Sequence, residues 1–162
     1  MPSKKLIAAV IIVIILAVIA YFYFGIISPV ATKPALQKPL LKAGEPVKNE
    51  HINWIVNELG GYKLHPSLSG EPPEIEVLVA DMTFAVTTVK GRTSAREGPA
   101  TNPDIVIKAP YDAVVRIFAS DNLLKEISNL YNEGTVTFEL LKDQATLALK
   151  GYKGIYDELQ GK

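Results

Sequence analysis

The sequence predicts an α+β domain: one sheet of five or six strands, covered on one side by amphipathic helices and preceded by a single transmembrane helix. Three observations carry this. Residues 6–27 are an unbroken apolar run. Apolar and polar residues alternate at period two through 74–109 and again through 136–149. Around and between those stretches the apolar residues recur at i, i+3, i+4 and i+7, the period of a helix with one buried face.

The first run reads LIAAVIIVIILAVIAYFYFGII and carries no charge. As a helix it reaches about 33 Å, close to the roughly 30 Å hydrocarbon core of a bilayer. Lys4 and Lys5 stand before it. Tyr21, Phe22, Tyr23 and Phe24 stand near its end, where aromatic rings suit the headgroup boundary. The expected organisation is a short tail at 1–5, a membrane span at 6–27, a Pro/Lys linker at 28–49 and the α+β domain at 50–162. Lys4 and Lys5 favour a cytoplasmic N-terminus, which puts the domain outside the cell membrane on a single-pass anchor. Lys33, Lys38 and Lys42 lie close enough behind the span to argue the other way. A cleaved signal peptide, with Val18, Ile19 and Ala20 at a suitable spacing, is the rival, although a signal's apolar region is typically only about 7–15 residues.

Pro29, Pro34, Pro39 and Pro46 punctuate the linker, with lysines between them. Each proline removes a donor and disfavours helix just before it, so an extended stalk is expected. At full polyproline extension it would reach roughly 70 Å. It serves either as a passive spacer or as a stretch whose lysines ride on anionic headgroups.

The net charge of zero conceals an asymmetry. Five lysines and no acid occupy the first 43 residues, and the other 12 Lys and Arg face all 17 Asp and Glu. A mildly acidic domain makes a poor nucleic-acid partner, because phosphate contacts need clustered Lys and Arg. There is no Cys, hence no disulfide and no thiolate.

Within the domain, Asn49 is placed to cap a helix in which Ile52, Ile55, Val56 and Leu59 form one stripe, ended by Gly60 and Gly61. Trp54 points away from that stripe. It either packs beneath the 62–73 loop or stays exposed as a contact for a membrane interface or a partner. Residues 74–80 put Ile75, Val77 and Val79 on one strand face. Thr83 to Lys90 follow as a strand with Phe84 and Val86 inward, and Lys90-Gly91 signals a hairpin. Arg92 to Glu97 and Asp104 to Ala109 read as two more strands. Pro110 opens a helix bearing Tyr111, Val114, Val115 and Phe118. Asp121 is placed to cap another, with Leu123, Leu124, Ile127, Leu130 and Tyr131 along one side. Val136, Phe138 and Leu140 then alternate as a strand, as do Ala145, Leu147 and Leu149. Tyr152, Ile155, Tyr156 and Leu159 form a last amphipathic helix.

The segments PEIEVLVADMTFAVTTVKG, PDIVIKAPYDAVVRIF, NEGTVTFELLKDQATLALKG and YKGIYDELQ together resemble the sterol-carrier-protein-2-like domain. Asp104 falls where that family has an Asp before a short strand, and Gly134 where it has a Gly opening the penultimate strand. Leu140-Leu141 occupies a position where the family often has a second Gly. The helix carrying His51 and Trp54, together with the anchor, resembles a membrane-tethered archaeal subgroup. The resemblance implies an apolar, lipid-binding tunnel between sheet and helices.

No catalytic signature stands out, and no enzyme activity or cofactor is expected. His51 and His65 read as solvated, too few to hold a metal without Cys. No Gly-rich phosphate loop follows a strand, and no Gly-x-Ser-x-Gly elbow exists. Glu71, Glu74 and Glu76 read as solvated surface. Two readings remain. The first is a membrane-tethered binding domain for a lipid, a fatty-acyl chain or another apolar ligand, acting in transfer or sensing. Phe84, Phe118, Leu124, Ile127, Phe138, Leu147, Ile155, Tyr156 and Leu159 are its candidate liners, with the last helix as a lid. The second is a non-catalytic structural or protein-interaction module with a filled core, in which Trp54 and Tyr152 are surface contacts.

Overall fold

The computed structural model describes residues 12–16, 32–67 and 69–159. The chain divides into two units, 1–30 and 31–162. In the first, residues 12–16 are helical with exposed side chains. The span expected at 6–27, its aromatic end and the rival cleavage site otherwise lie outside the described residues. Among the described residues, no helix is long and apolar enough to cross a membrane.

The second unit begins with chain that has no regular structure, then runs α1 (Asn49–Glu58), a 3₁₀ turn (Gly61–Lys63), β1 (Glu74–Val79), β2 (Met82–Val89), β3 (Arg92–Glu97) and β4 (Ile105–Ala109). Next come α2 (Tyr111–Ala119), α3 (Leu123–Asn132), β5 (Thr137–Leu140), α4 (Gln144–Leu149) and α5 (Tyr152–Leu159). The strands form one sheet in the order β3-β2-β1-β4-β5. The β1/β4 pair is parallel and every other pair antiparallel.

Register turns the period-two pattern into two continuous apolar rows. Phe138, Ile107, Val77 and Phe84 lie side by side across the sheet. Leu140, Ile105, Ile75, Val86 and Ala95 form the next row. These rows make the helix-covered face, which joins the buried stripes of α1, α2 and α3 in one core. Lys90 and Gly91 close the β2/β3 hairpin, both at positive φ, the backbone a two-residue turn requires. Gly61 answers a different need. A Cβ there would lie 2.6 Å from Val56 Cγ1 and 2.7 Å from the Val56 carbonyl oxygen, so only glycine lets the turn cross the end of α1. Buried Thr88 donates to the Gly61 carbonyl at 3.0 Å and ties that crossing to β2.

Several sequence expectations need correction. The sheet has five strands, within the expected five or six, but Gln144–Leu149, expected as a strand, is a helix. Its apolar alternation is fortuitous: Leu147 is buried while Ala145 and Leu149 are exposed. Asp143 caps it, accepting from the Thr146 N–H at 3.0 Å and from the Thr146 hydroxyl at 2.6 Å. The cap of α3 is Asn122 rather than Asp121. The cap residue of α1 is Lys48, and His51 supplies the side-chain contact there.

Residues 32–48, read as part of a stalk, lie along α1 and α2 as a strap. Domain side chains hold its main chain. Asn57 donates to the Pro34 carbonyl at 3.3 Å, and Tyr111 donates to the Glu45 carbonyl at 2.7 Å. His51 Nδ1 accepts the Lys48 N–H at 2.8 Å, which leaves Nε2 to donate to the Leu40 carbonyl at 3.0 Å. Val47 joins the core. Two of the lysines considered for lipid headgroups are engaged with the domain: Lys33 pairs with Glu58, and Lys38 sits over the Trp54 ring and donates to the Ser120 carbonyl. His51 is therefore buried, not solvated, with its edge toward Phe118.

Candidate functional site

The helix-covered face is closed unevenly. Over β2 and β3, α1 and the strap cover the face: Phe84, Ile52, Val56 and Trp54 are buried, and the Trp54 and Phe118 ring centroids are 5.3 Å apart. The void at the centre of the core, between α1 and the β1/β4 strands, measures about 30 Å³, room for about one water. At the other end, β5 carries the apolar rows past the last covering helix. Phe138 is half-buried there and Leu140 is 57% exposed, although each continues a row that is sealed elsewhere.

That end forms a groove of about 250 Å³. Ile105, Phe138 and Leu140 make its floor, Tyr131 of α3 one wall, and Ile155, Tyr156 and Leu159 of α5 the other. A more open space of about 440 Å³ adjoins it, lined by Leu147, Ala148 and Gln144 of α4. Leu140, Tyr152 and Tyr156 line both.

Beside the groove, a buried polar cluster fixes α5. Asp104 and Lys150 are almost wholly excluded from solvent, and Lys150 Nζ donates to Asp104 Oδ1 at 2.7 Å. The other carboxylate oxygen accepts from the Tyr152 hydroxyl at 2.9 Å and from the Glu74 N–H at 3.0 Å. Lys150 also donates to the Pro72 carbonyl at 3.4 Å. Every strong acceptor and donor in the cluster thus has a partner, which is what lets the ion pair lie in a low-dielectric interior. Burial, reinforced by the Asp104 carboxylate, raises the Tyr152 phenol well above its ordinary range, so it stays protonated as a donor. Lys150 ends α4 and Tyr152 starts α5, so the cluster anchors both helices to the β1/β4 pair.

Of the nine candidate liners, Phe138, Ile155, Tyr156 and Leu159 meet in the groove, and Leu147 lines its extension. Phe84 and Phe118 lie in the sealed half of the core, and Ile127 lines only the central void. Leu124 is half-buried against the core, outside both spaces. Trp54 and Tyr152, proposed as surface contacts, are both buried. Glu74 and Glu76 are not free surface acids either. Glu74 accepts from the Thr101 and Asn102 N–H groups and Glu76 from that of Ala100, so together they hold the 98–103 loop to β1. Ile105, Tyr131 and Leu140 complete the groove and were not singled out in the sequence as liners. Their one signal was position: Leu140 ends a strand row, and Tyr131 ends a helix stripe.

No protein-family model matches this chain, and no curated protein does. Among solved structures, the palmitated SCP2L2 of Aedes aegypti is similar at 15% identity over 65% of this chain and 91% of that one, with a TM-score of 0.38. A UbiJ-SCP2 ubiquinone synthesis protein is similar at 10% identity over 54% and 70%, with a TM-score of 0.35. The sec-alkylsulfatase Pisa1 from Pseudomonas sp. is similar at 18% identity and a TM-score of 0.35, and there the match covers 52% of this chain but only 12% of the enzyme. Likeness at this level carries no argument about what this chain binds or does.

Proposed function

We propose that the chain is a membrane-tethered, non-catalytic protein that holds a lipid or other apolar ligand in the groove between β5, α3 and α5. The observation that carries this reading is the groove itself: about 250 Å³, lined mainly by apolar surface, with a second space adjoining it. Covering such a surface with an acyl chain is worth roughly 25 cal/mol for each Å² of apolar area removed from water. The sequence resemblance to sterol-carrier-protein-2-like domains implies a ligand of the same kind. The apolar run at 6–27 supports the tether, with the cell membrane as location and the domain outside. The buried Asp104–Lys150–Tyr152 cluster is closed on itself, with its donors and acceptors committed to structure, and no group of three or more His, Cys, Asp or Glu able to hold a metal occurs among the described residues.

Photolabelling of the full chain in vesicles containing a long-chain fatty acid that carries a diazirine tests the reading. Crosslinks to Phe138, Ile155 or Leu159, mapped by mass spectrometry, are expected. Crosslinks confined to 6–27 would sink it. One observation favours the second reading, a structural or protein-interaction module: the centre of the core is filled, with a void of about 30 Å³. Labelling confined to 6–27 is the outcome that reading expects.

A further inference from the structure

Outside residues 12–16, the described part of the chain has eight exposed large apolar side chains, and five of them lie between positions 131 and 156. Three of the five, Tyr131, Leu140 and Tyr156, also line the groove, with 37%, 57% and 52% of their surface open to water. These three form one cluster at the mouth of the groove, while Leu36, Leu40, Val89, Leu141 and Leu149 lie outside its lining. The reverse of the sheet is different: Glu76, Glu139, Lys108 and Arg96 share that face, with ion pairs between Lys108 and Glu139 and between Arg96 and Glu74.

We infer that Tyr131, Leu140 and Tyr156 form a rim that docks on the surface of a lipid bilayer, with the groove mouth facing the acyl region. The inference rests on the apolar-ligand reading and adds the surface through which such a ligand enters. Two tyrosines and a leucine suit that surface: a tyrosine ring reaches the acyl boundary while its hydroxyl stays at the headgroups. The occupant is a bilayer rather than a protein because the 22-residue apolar run at 6–27, on the tether reading proposed above, would bring a bilayer to the same chain. A ligand that is insoluble in water also needs a path into the groove that avoids water. The rim supplies that path, because Leu140 and Tyr156 belong to the groove wall as well as to the outer surface.

Tryptophan placed at the rim reads contact with acyl chains directly. The full chain, carrying Leu140→Trp, Tyr156→Trp or, as a control on the exposed end of β2, Val89→Trp, is reconstituted in phosphatidylcholine vesicles with and without acyl-chain bromine. The native Trp54, buried under Lys38, supplies the baseline to subtract. The expected result is loss of emission to bromine at positions 140 and 156 and none at 89. Equal quenching at all three positions, or none at the rim, overturns the proposal. So does rim emission that ignores bromine but shifts with protein concentration, which would place a second copy on this face. Circular dichroism of each variant confirms folding, and these exposed positions tolerate the change. Fatty-acid crosslinks in the groove without rim quenching would defeat the docking surface and leave the ligand reading intact. Rim quenching without groove crosslinks would support the docking surface and defeat the ligand reading.

Discussion

Phe84 and Phe138 lie in the same row across one face of one sheet, separated only by Val77 and Ile107. Phe84 is sealed at 2% exposure, whereas Phe138 lines a groove and meets Tyr131 edge-on at 5.4 Å. Strand pattern does not distinguish them, since both occupy inward positions of alternating strands. The difference lies in what covers each. Phe84 sits in the half of the core closed by α1, with the strap bound across that helix by His51, Asn57 and Tyr111. Phe138 lies between the end of α3 and the short helix α5, which do not close over it, and α5 is tethered at its first residue through the Tyr152 hydroxyl. An apolar face becomes core or site according to whether a second layer of chain closes it.

Five experiments press on that contrast. The largest effect is expected where the tether of α5 is cut. Asp104→Ala leaves the Lys150 ammonium buried without its partner, a loss of about 3–5 kcal/mol measured by urea unfolding. The same cluster sets an alkaline dependence. The Tyr152 phenol is raised in the folded state, so its contribution is complete below the ordinary phenol value and falls away as pH rises beyond it. Stability above about pH 10 is expected to decline less steeply in Tyr152→Phe than in the parent. A parallel decline in the two proteins would show that the hydroxyl is not held as described.

Next comes the phenylalanine pair itself. Phe84→Ala is expected to cost about 3–5 kcal/mol through the cavity it leaves. Phe138→Ala, already facing a groove, is expected to cost nearer 1 kcal/mol. Equal losses by thermal or urea unfolding would mean that the two ends of the sheet are not closed differently. His51→Ala removes both bonds that hold the strap to the start of α1 and should cost about 1–3 kcal/mol. Hydrogen exchange should then quicken first in 32–48 and not in α5. The smallest effect belongs to Leu140→Ser, expected within about 0.5 kcal/mol on stability. It should nonetheless weaken fatty-acid crosslinking at Phe138, and unchanged labelling would remove Leu140 from the groove.

The sequence made all five strands and helices α1, α2, α3 and α5 readable, because each buries one face and the period follows. It misread Gln144–Leu149, where six residues of Ala, Leu, Thr and Gln satisfy a strand alternation by accident. The discriminating signal was local: Asp143 three residues before Thr146 is a helix cap, and Ala, Leu and Gln favour helix intrinsically. The polar cluster was not legible at all. Lys150 and Tyr152 reach Asp104 across 46 and 48 residues, a pairing set by the sheet rather than by spacing. The groove was half legible. Residues on α5 announced themselves as an amphipathic face, while Leu140 and Ile105 looked like any other inward strand position until the register showed where the cover ends.

The strap is gripped through its main chain: Pro34, Leu40, Lys42 and Glu45 offer carbonyl oxygens, and Gly44 an N–H, to three side chains of the domain. Recognition of this kind reads shape and not spelling. Tolerance to substitution should therefore be lopsided. Apart from Lys38 and Leu41, whose side chains touch the domain, positions 34–45 are free to drift so long as the extended path survives, while His51, Asn57 and Tyr111 are not. Related chains are expected to show that imbalance: a strap that varies in composition, facing three residues that change little.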